Sequence, residues 1–294
     1  MPSPVEYADQ YRKMSVNFDD GAITIGVNSY HEGVWDQDAD KLIDKVVDDF
    51  NTQKKKTPTY SLTVKVNGNP VTFREVNTLR RCLQYAFEGK GSPEDCQVAA
   101  QMAVLKGKTT KANLQKYCDE HMGLDCTGFV GNYLWYVQGV AGEKTWPGEN
   151  KIASNETIDS ILYRTQPVSG LEDLNPGDLH VLGLLGPHDK IVGKDSAAAH
   201  AHIVMSQPGK FTPMMFITNF FSGSNLPADS WGRPGIWCVE STGGMGLTES
   251  WYAVAEEKDA KGKIKSVQGK PAFKVFKIYR GSKKQWLFFT IGAL

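Results

Sequence analysis

Leu124-Asp125-Cys126-Thr127-Gly128-Phe129-Val130 places a cysteine at the start of an apolar-faced helix, because Cys126, Phe129, Val130, Tyr133, Leu134 and Val137 fall at helical spacing. A thiol there feels the positive end of the helix dipole. An ordinary thiol, with a pKa of about 8.5, is mostly protonated at neutral pH, so this placement favours the nucleophilic thiolate. Gly128 would leave space near the sulfur, and backbone N–H groups at the helix start could bind a developing oxyanion. A thiolate nucleophile needs a base, and the base needs an orienting group. In Ala199-His200-Ala201-His202-Ile203-Val204, strand alternation puts His200 and His202 on one face, so either imidazole could meet the sulfur. Trp237-Cys238-Val239-Glu240-Ser241 offers a carboxylate at the end of another strand, where it could fix the imidazole tautomer. Asp125, His202 and Ser241 are accessory candidates. The plainer alternatives are a Cys126 buried as a small apolar side chain, one structural and one surface histidine, and a solvated Glu240.

These residues must be positioned by the elements around them. Residues 1 to about 57 are mixed and polar, with a strand expected at Ala22 to Val27 and a helix from Asp36 to Phe50. Lys54-Lys55-Lys56 reads as a solvated loop. Tyr60 to Val66 alternates as a half-buried strand, turned by Asn67-Gly68-Asn69-Pro70 into a return at Val71 to Phe73. Leu79, Cys82, Leu83, Ala86 and Phe87 form a helical stripe, and Ser92-Pro93-Glu94-Asp95 has the chemistry of a capped helix start. A third short helix is expected from Ala112 to His121, and another at Ile158 to Tyr163. Beyond Gly177 the chain reads as strands, at Leu179–Leu185, His200–Met205, Met215–Thr218, Ile236–Glu240, Phe273–Tyr279 and Trp286–Ile291. Helices followed by strands imply an α+β class with segregated layers.

Asp125-Cys126-Thr127-Gly128-Phe129-Val130, Leu174-Asn175-Pro176-Gly177-Asp178-Leu179 and His200-Ala201-His202-Ile203-Val204, in that order, resemble the NlpC-type cysteine peptidase superfamily. In that family an Asp-Cys-Ser-Gly-Phe-Val helix start carries the nucleophile, a Pro-Gly-Asp turn opens the first core strand, and a His-x-Gly-Ile-Val strand carries the base. The resemblance covers roughly residues 110 to 255. It implies a papain-like fold in which the nucleophile helix packs on an antiparallel sheet, with Cys126 as nucleophile, His200 as base and Glu240 as orienting residue. The related CHAP amidases use a Glu in a context like Val239-Glu240-Ser241. The implied reaction is hydrolysis of an amide bond in a cell-wall (peptidoglycan) peptide through an acyl-enzyme. Thr127 departs from the usual Ser, and His202 stands where the family commonly has a small residue. The expected organisation is an N-terminal region, 1–110, of hairpin and helices, followed by an NlpC-like domain, 111–294, with an insertion near 206–235.

Composition narrows the classes further. Thirty-three basic and thirty-three acidic residues cancel, which argues against a nucleic-acid partner. No run of roughly 18 apolar residues is present to span a membrane, and Met1 to Tyr7 does not read as a secretory signal. The expectation is a protein cytoplasmic as synthesised, reaching a wall, if it does, by a non-classical route. Five well-spaced cysteines do not form a disulfide scaffold. No cofactor and no metal are expected. Two other readings use the same residues. One is a non-catalytic peptide- or glycan-binding protein on the same fold, suggested by His202, the unmatched N-terminal region and the insertion; in either case Trp135, Tyr136, Trp231, Trp237 and Trp251 could wall a cleft for a peptide or sugar-peptide, or simply pack in the core and rim. The other is a metal-binding protein using Cys118, His121 and the strand histidines.

Overall fold

The computed structural model of the chain describes residues 2–30, 36–139, 158–162, 164–175, 178–191, 203–213, 234–243, 245–280 and 285–294. The protein is α+β, with helices and antiparallel sheets. The chain divides into two compact units, one of residues 6–155 with 241–247, the other of residues 1–5, 156–240 and 248–294.

The first unit is mainly helical. Helix α1 (Pro4–Arg12) leads into the hairpin β1 (Met14–Phe18) and β2 (Gly21–Ile25). Helix α2 (Gln37–Lys56) follows, with the Asp36 carboxylate accepting the Asp38 N–H at its start. The apolar stripe of α2 is buried as its spacing requires, at Leu42, Ile43, Val46, Val47 and Phe50. Its end differs from the expected loop. Lys54, Lys55 and Lys56 form the last helical turn, where cations meet the negative end of the helix dipole. Strands β3 (Leu62–Val66) and β4 (Asn69–Phe73) form the expected hairpin, closed by Asn67 and Gly68, both with positive φ. The sheet order is β2-β1-β3-β4, which leaves Pro70 on an edge strand where its missing N–H costs little.

Helices α3 (Val76–Phe87), α4 (Pro93–Leu105), α5 (Leu114–His121) and α6 (Cys126–Gly139) complete this unit. The α4 start is the reciprocal cap its sequence implies. Ser92 Oγ accepts the Asp95 N–H, and Asp95 Oδ2 accepts the Ser92 N–H at 2.9 Å. Almost every side chain of α4 from Pro93 to Ala103 is buried, so α4 is the central helix and lies on β1 and β3. The boundary expected near residue 110 falls inside this unit. The reason is packing: α5 contacts α4, and α6 bonds to the turn between α3 and α4.

The second unit is built on a sheet. Helix α7 (Ile158–Leu162) precedes β5 (Gln166–Pro167), β6 (His180–Gly186), β7 (Lys190–Ile191), β8 (Ile203–Pro213) and β9 (Pro234–Thr242). Strands β10 (Gly246–Glu256), β11 (Ser266–Val267), β12 (Lys270–Lys274), β13 (Phe276–Arg280) and β14 (Gln285–Ala293) follow. The strand order is β5-β14-β13-β10-β9-β8-β6-β7, and β14 also pairs with β6. The sheet therefore closes into a ring of six strands, with β14 as its seam. The pairings β10–β13, β13–β14, β14–β6, β6–β8 and β8–β9 are antiparallel. Leu182, Ile236, Cys238, Tyr252, Val254, Phe276, Ile278, Phe289 and Ile291 pack together as the core of this unit.

Two expectations for this part of the chain change, and a third is not reached. Phe273 to Tyr279 is two strands, β12 and β13, rather than one. Part of the insertion expected near 206–235 is strand, because β8 runs to Pro213 and β9 begins at Pro234. A register shift between Ser206 and Phe211 absorbs the extra residues. The strand expected at Met215–Thr218 lies outside the described residues.

Candidate active site

Cys126 is the first residue of α6 and is 4% exposed. Asp125 caps it, because Asp125 Oδ1 accepts the Gly128 N–H and the Thr127 hydroxyl. The capping carboxylate is itself held by a cation: Lys90 Nζ contacts Asp125 Oδ2 and donates to Thr127 Oγ1. The Asp125 pKa is raised, because burial outweighs the Lys90 ammonium and the cap hydrogen bonds, which act the other way. Lys90 sits in the turn between α3 and α4, and that turn is bound tightly to α6. Asp125 N–H donates to Gly89 O at 3.0 Å. The Asn132 amide nitrogen, one turn into α6, donates to the carbonyls of Lys90 at 2.9 Å and Gly91 at 3.1 Å. Tyr11 OH donates to the same Gly91 carbonyl at 3.0 Å.

This geometry reassigns two features of the motif. A Cβ on Gly128 would lie 2.1 Å from Gly89 O, so the glycine is there for backbone approach and not to leave space for a substrate. The Gly128 N–H is taken by Asp125, so it is not available to an oxyanion.

The approach to Cys126 is tied down as well. Leu124 N–H donates to Ser29 O, and Leu124 forms a parallel bridge with Tyr30. Buried Ser241 donates its hydroxyl to Leu124 O at 2.6 Å. That bond makes Ser241 a tether of the segment entering α6. Ser241→Ala should lose about 1–2 kcal/mol of stability in urea unfolding, since it leaves a buried carbonyl short of a donor.

Glu240 is 0% exposed, which overturns the solvated alternative for it. Tyr252 donates its hydroxyl to Glu240 Oε1. Cys238, on the same strand, is pushed well above the usual thiol range by burial and by the nearby Glu240 charge. Cys126, Asp125 and Ser241 belong to the helical unit and Glu240 to the sheet unit. His200 and His202 lie outside the described residues, as do Pro176 and Gly177 of the Pro-Gly-Asp turn.

No protein-family model, curated protein or solved structure matches this chain.

The other motif readings meet definite geometry. Cys118 is fully buried, and burial pushes its thiol up to about 12. His121 Nδ1 pairs with Asp36 Oδ2, joining the end of α5 to the start of α2. Among the described residues no group of three His, Cys, Asp or Glu side chains could hold a metal ion. Of the aromatic candidates, Tyr136 packs on Tyr7 of α1, with ring centroids 5.3 Å apart. Trp237 and Trp251 meet edge to face at 4.8 Å, and the Trp237 indole N–H donates to Glu249 Oε2. Trp231 lies outside the described residues.

Nothing in the sequence singles out Lys90. Asn132 carried a faint signal, as a polar side chain on an otherwise apolar helix. His180 is a further buried titratable group. It is 2% exposed on β6, with Nδ1 3.3 Å from Ser206 Oγ, and burial pushes its pKa down against the pull of Asp178. Its Nε2 has no hydrogen-bond partner among the described residues.

Proposed function

We propose that the protein is a thiol hydrolase that cleaves an amide bond in a peptidoglycan peptide, with an NlpC-type papain-like arrangement. The observation that carries this reading is Cys126 at the first position of α6, with both flanking residues held by the partly buried Lys90 ammonium. A thiol there is favoured as thiolate by the helix dipole. In the proposed cycle the Cys126 sulfur attacks the scissile carbonyl, and the C–N bond breaks as the leaving amine takes a proton from His200. Water then hydrolyses the acyl-enzyme, with His200 accepting the water proton. Glu240 orients the imidazole, a role compatible with a buried carboxylate already fixed on one side by Tyr252. The same chemistry suits recycled wall fragments inside a cell or wall reached by a non-classical route.

Digestion of purified peptidoglycan, followed by mass spectrometry, tests the reaction. New amine and carboxyl termini within stem peptides are expected from the wild type and not from Cys126→Ala. Binding to the sacculus without cleavage would favour the non-catalytic alternative. The choice of base is tested separately. His200→Ala should lose nearly all turnover, on the order of 10³-fold or more, and slow alkylation of Cys126 at neutral pH. His202→Ala should keep a reactive thiol. The opposite pattern in alkylation rate against pH would assign the base to His202.

A further inference from the structure

An aspartate beside a nucleophilic cysteine is electrostatically awkward. Its carboxylate disfavours a neighbouring thiolate, working against the helix dipole that favours it. Asp125 is nevertheless committed to that place, because it caps α6 through the Gly128 N–H. Lys90 meets the carboxylate from the α3–α4 turn and also reaches Thr127, so its ammonium bridges the residues on either side of Cys126. The side chains of Lys90 and Asp125 are 19% and 14% exposed, so water screens this pair little. The turn cannot drift away, since the Asn132 amide and Tyr11 hydroxyl hold its carbonyls and Gly128 lies against Gly89 O.

We propose that Lys90 is a positioning residue for Cys126: its ammonium cancels the Asp125 charge and fixes that carboxylate as the α6 cap, so that the thiolate is governed by the helix start. This rests on the reading of Cys126 as the nucleophile. Other titratable groups act near this turn. Glu88, in the same turn as Lys90, has its carboxyl pushed up by burial and drawn down by Lys90. Tyr7 and Tyr11 of α1 are pushed well above the usual phenol range by burial and stay neutral. Glu94 acts on Tyr7 and Tyr11, Asp95 on Tyr7, and Asp40 on Glu88, whereas Lys90 and Asp125 are the ion pair that touches the residues flanking Cys126.

The test reads the thiol directly, by the rate of Cys126 alkylation with iodoacetamide against pH. Peptide mass spectrometry would assign the label, and circular dichroism would confirm the fold. Lys90→Met should raise the apparent Cys126 pKa by about one unit, which is roughly a tenfold slower alkylation below that pKa. Lys90→Arg should keep the wild-type value. Asp125→Asn, which preserves a capping side chain, should move the pKa the opposite way, downward. The double variant Lys90→Met/Asp125→Asn should return close to wild type. A lysine serving only to hold the turn would give no such opposition of sign. If Lys90→Met folds and leaves the pKa unchanged, or if Asp125→Asn fails to lower it, the proposal is overturned. Should Lys90→Met fail to fold, Asp125→Asn and the double variant decide it alone. Failure of the hydrolase reading looks different: wild-type Cys126 would show the Lys90 dependence, yet no peptidoglycan peptide would be cut.

Discussion

Cys126→Ala should reduce amide hydrolysis by about 10⁴-fold or more while leaving the fold in place. In the proposed mechanism the loss is large because only the Cys126 sulfur forms the acyl-enzyme; a capped helix start and a basic imidazole would have no bond to make without it. The fold survives because the change removes one atom from a residue whose backbone bonds are independent of the thiol. The adjoining anchors, Asp125 to Gly89 and Asn132 to the α3–α4 turn, remain. A cost of about 1 kcal/mol is expected for the small void. Cys126→Ser should be equally inactive and pack better. Full activity in the alanine variant would remove Cys126 from the mechanism, and global unfolding would favour a purely structural role. A parallel measurement uses the other cysteines as internal standards. Cys82, Cys96, Cys118 and Cys238 are all fully buried, and Cys118 and Cys238 have thiols pushed up by burial. Mild alkylation near neutral pH should label Cys126 first.

Gly128→Ala should be the most damaging single substitution near the site for stability. In an ordinary helix this change gains about 1 kcal/mol from propensity. Here the new Cβ would sit 2.1 Å from the Gly89 carbonyl oxygen and 2.9 Å from Asp125 Oδ1. Neither neighbour can give way cheaply, since Gly89 O accepts the Asp125 N–H and Asp125 caps the helix. The clash must part the α3–α4 turn from α6, with a net loss of about 3 kcal/mol or more. Thermal unfolding should show Tm lower by roughly 5 °C or more. Gly68→Ala is the control. Its φ is positive but no atom of the described residues lies within 4 Å of its Cβ, so it should cost only about 1–2 kcal/mol. Equal effects at the two glycines would show that the approach of Gly89 to Gly128 matters little.

What could be read from the sequence was what local chemistry controls. The helix start at Cys126, the Ser92–Asp95 cap and the stripe of α3 each depend on residues within one or two turns. The Asn67-Gly68 hairpin is legible for the same reason. What escaped depends on distant partners. Lys90 is one basic residue among many until the fold brings it to Asp125, and no periodicity announces it. Gly128 looked like space for a substrate because its neighbour, Gly89, belongs to another element. Strand β1 was missed because five residues, Met14 to Phe18, give too short an alternation to stand out. Strand β10 was missed because Thr248, Glu249 and Ser250 interrupt its apolar pattern. Glu240 looked solvated at a strand end, and its burial with Tyr252 comes from packing within the sheet unit.

The seam strand also dictates an order of events during folding. β14 pairs on one side with β13, its neighbour in the chain, and on the other with β6, where His180 faces Ala293. The hairpin contact is cheap to make, whereas the contact with β6 must first close a long loop and gives nothing back until it is complete. Until β14 meets β6, the outer edge of the β13–β14 hairpin and the facing edge of β6 are both open to any neighbouring chain. A nascent or partly unfolded molecule is thus most exposed to misassociation along these two edges, and docking of a single strand removes both hazards at once.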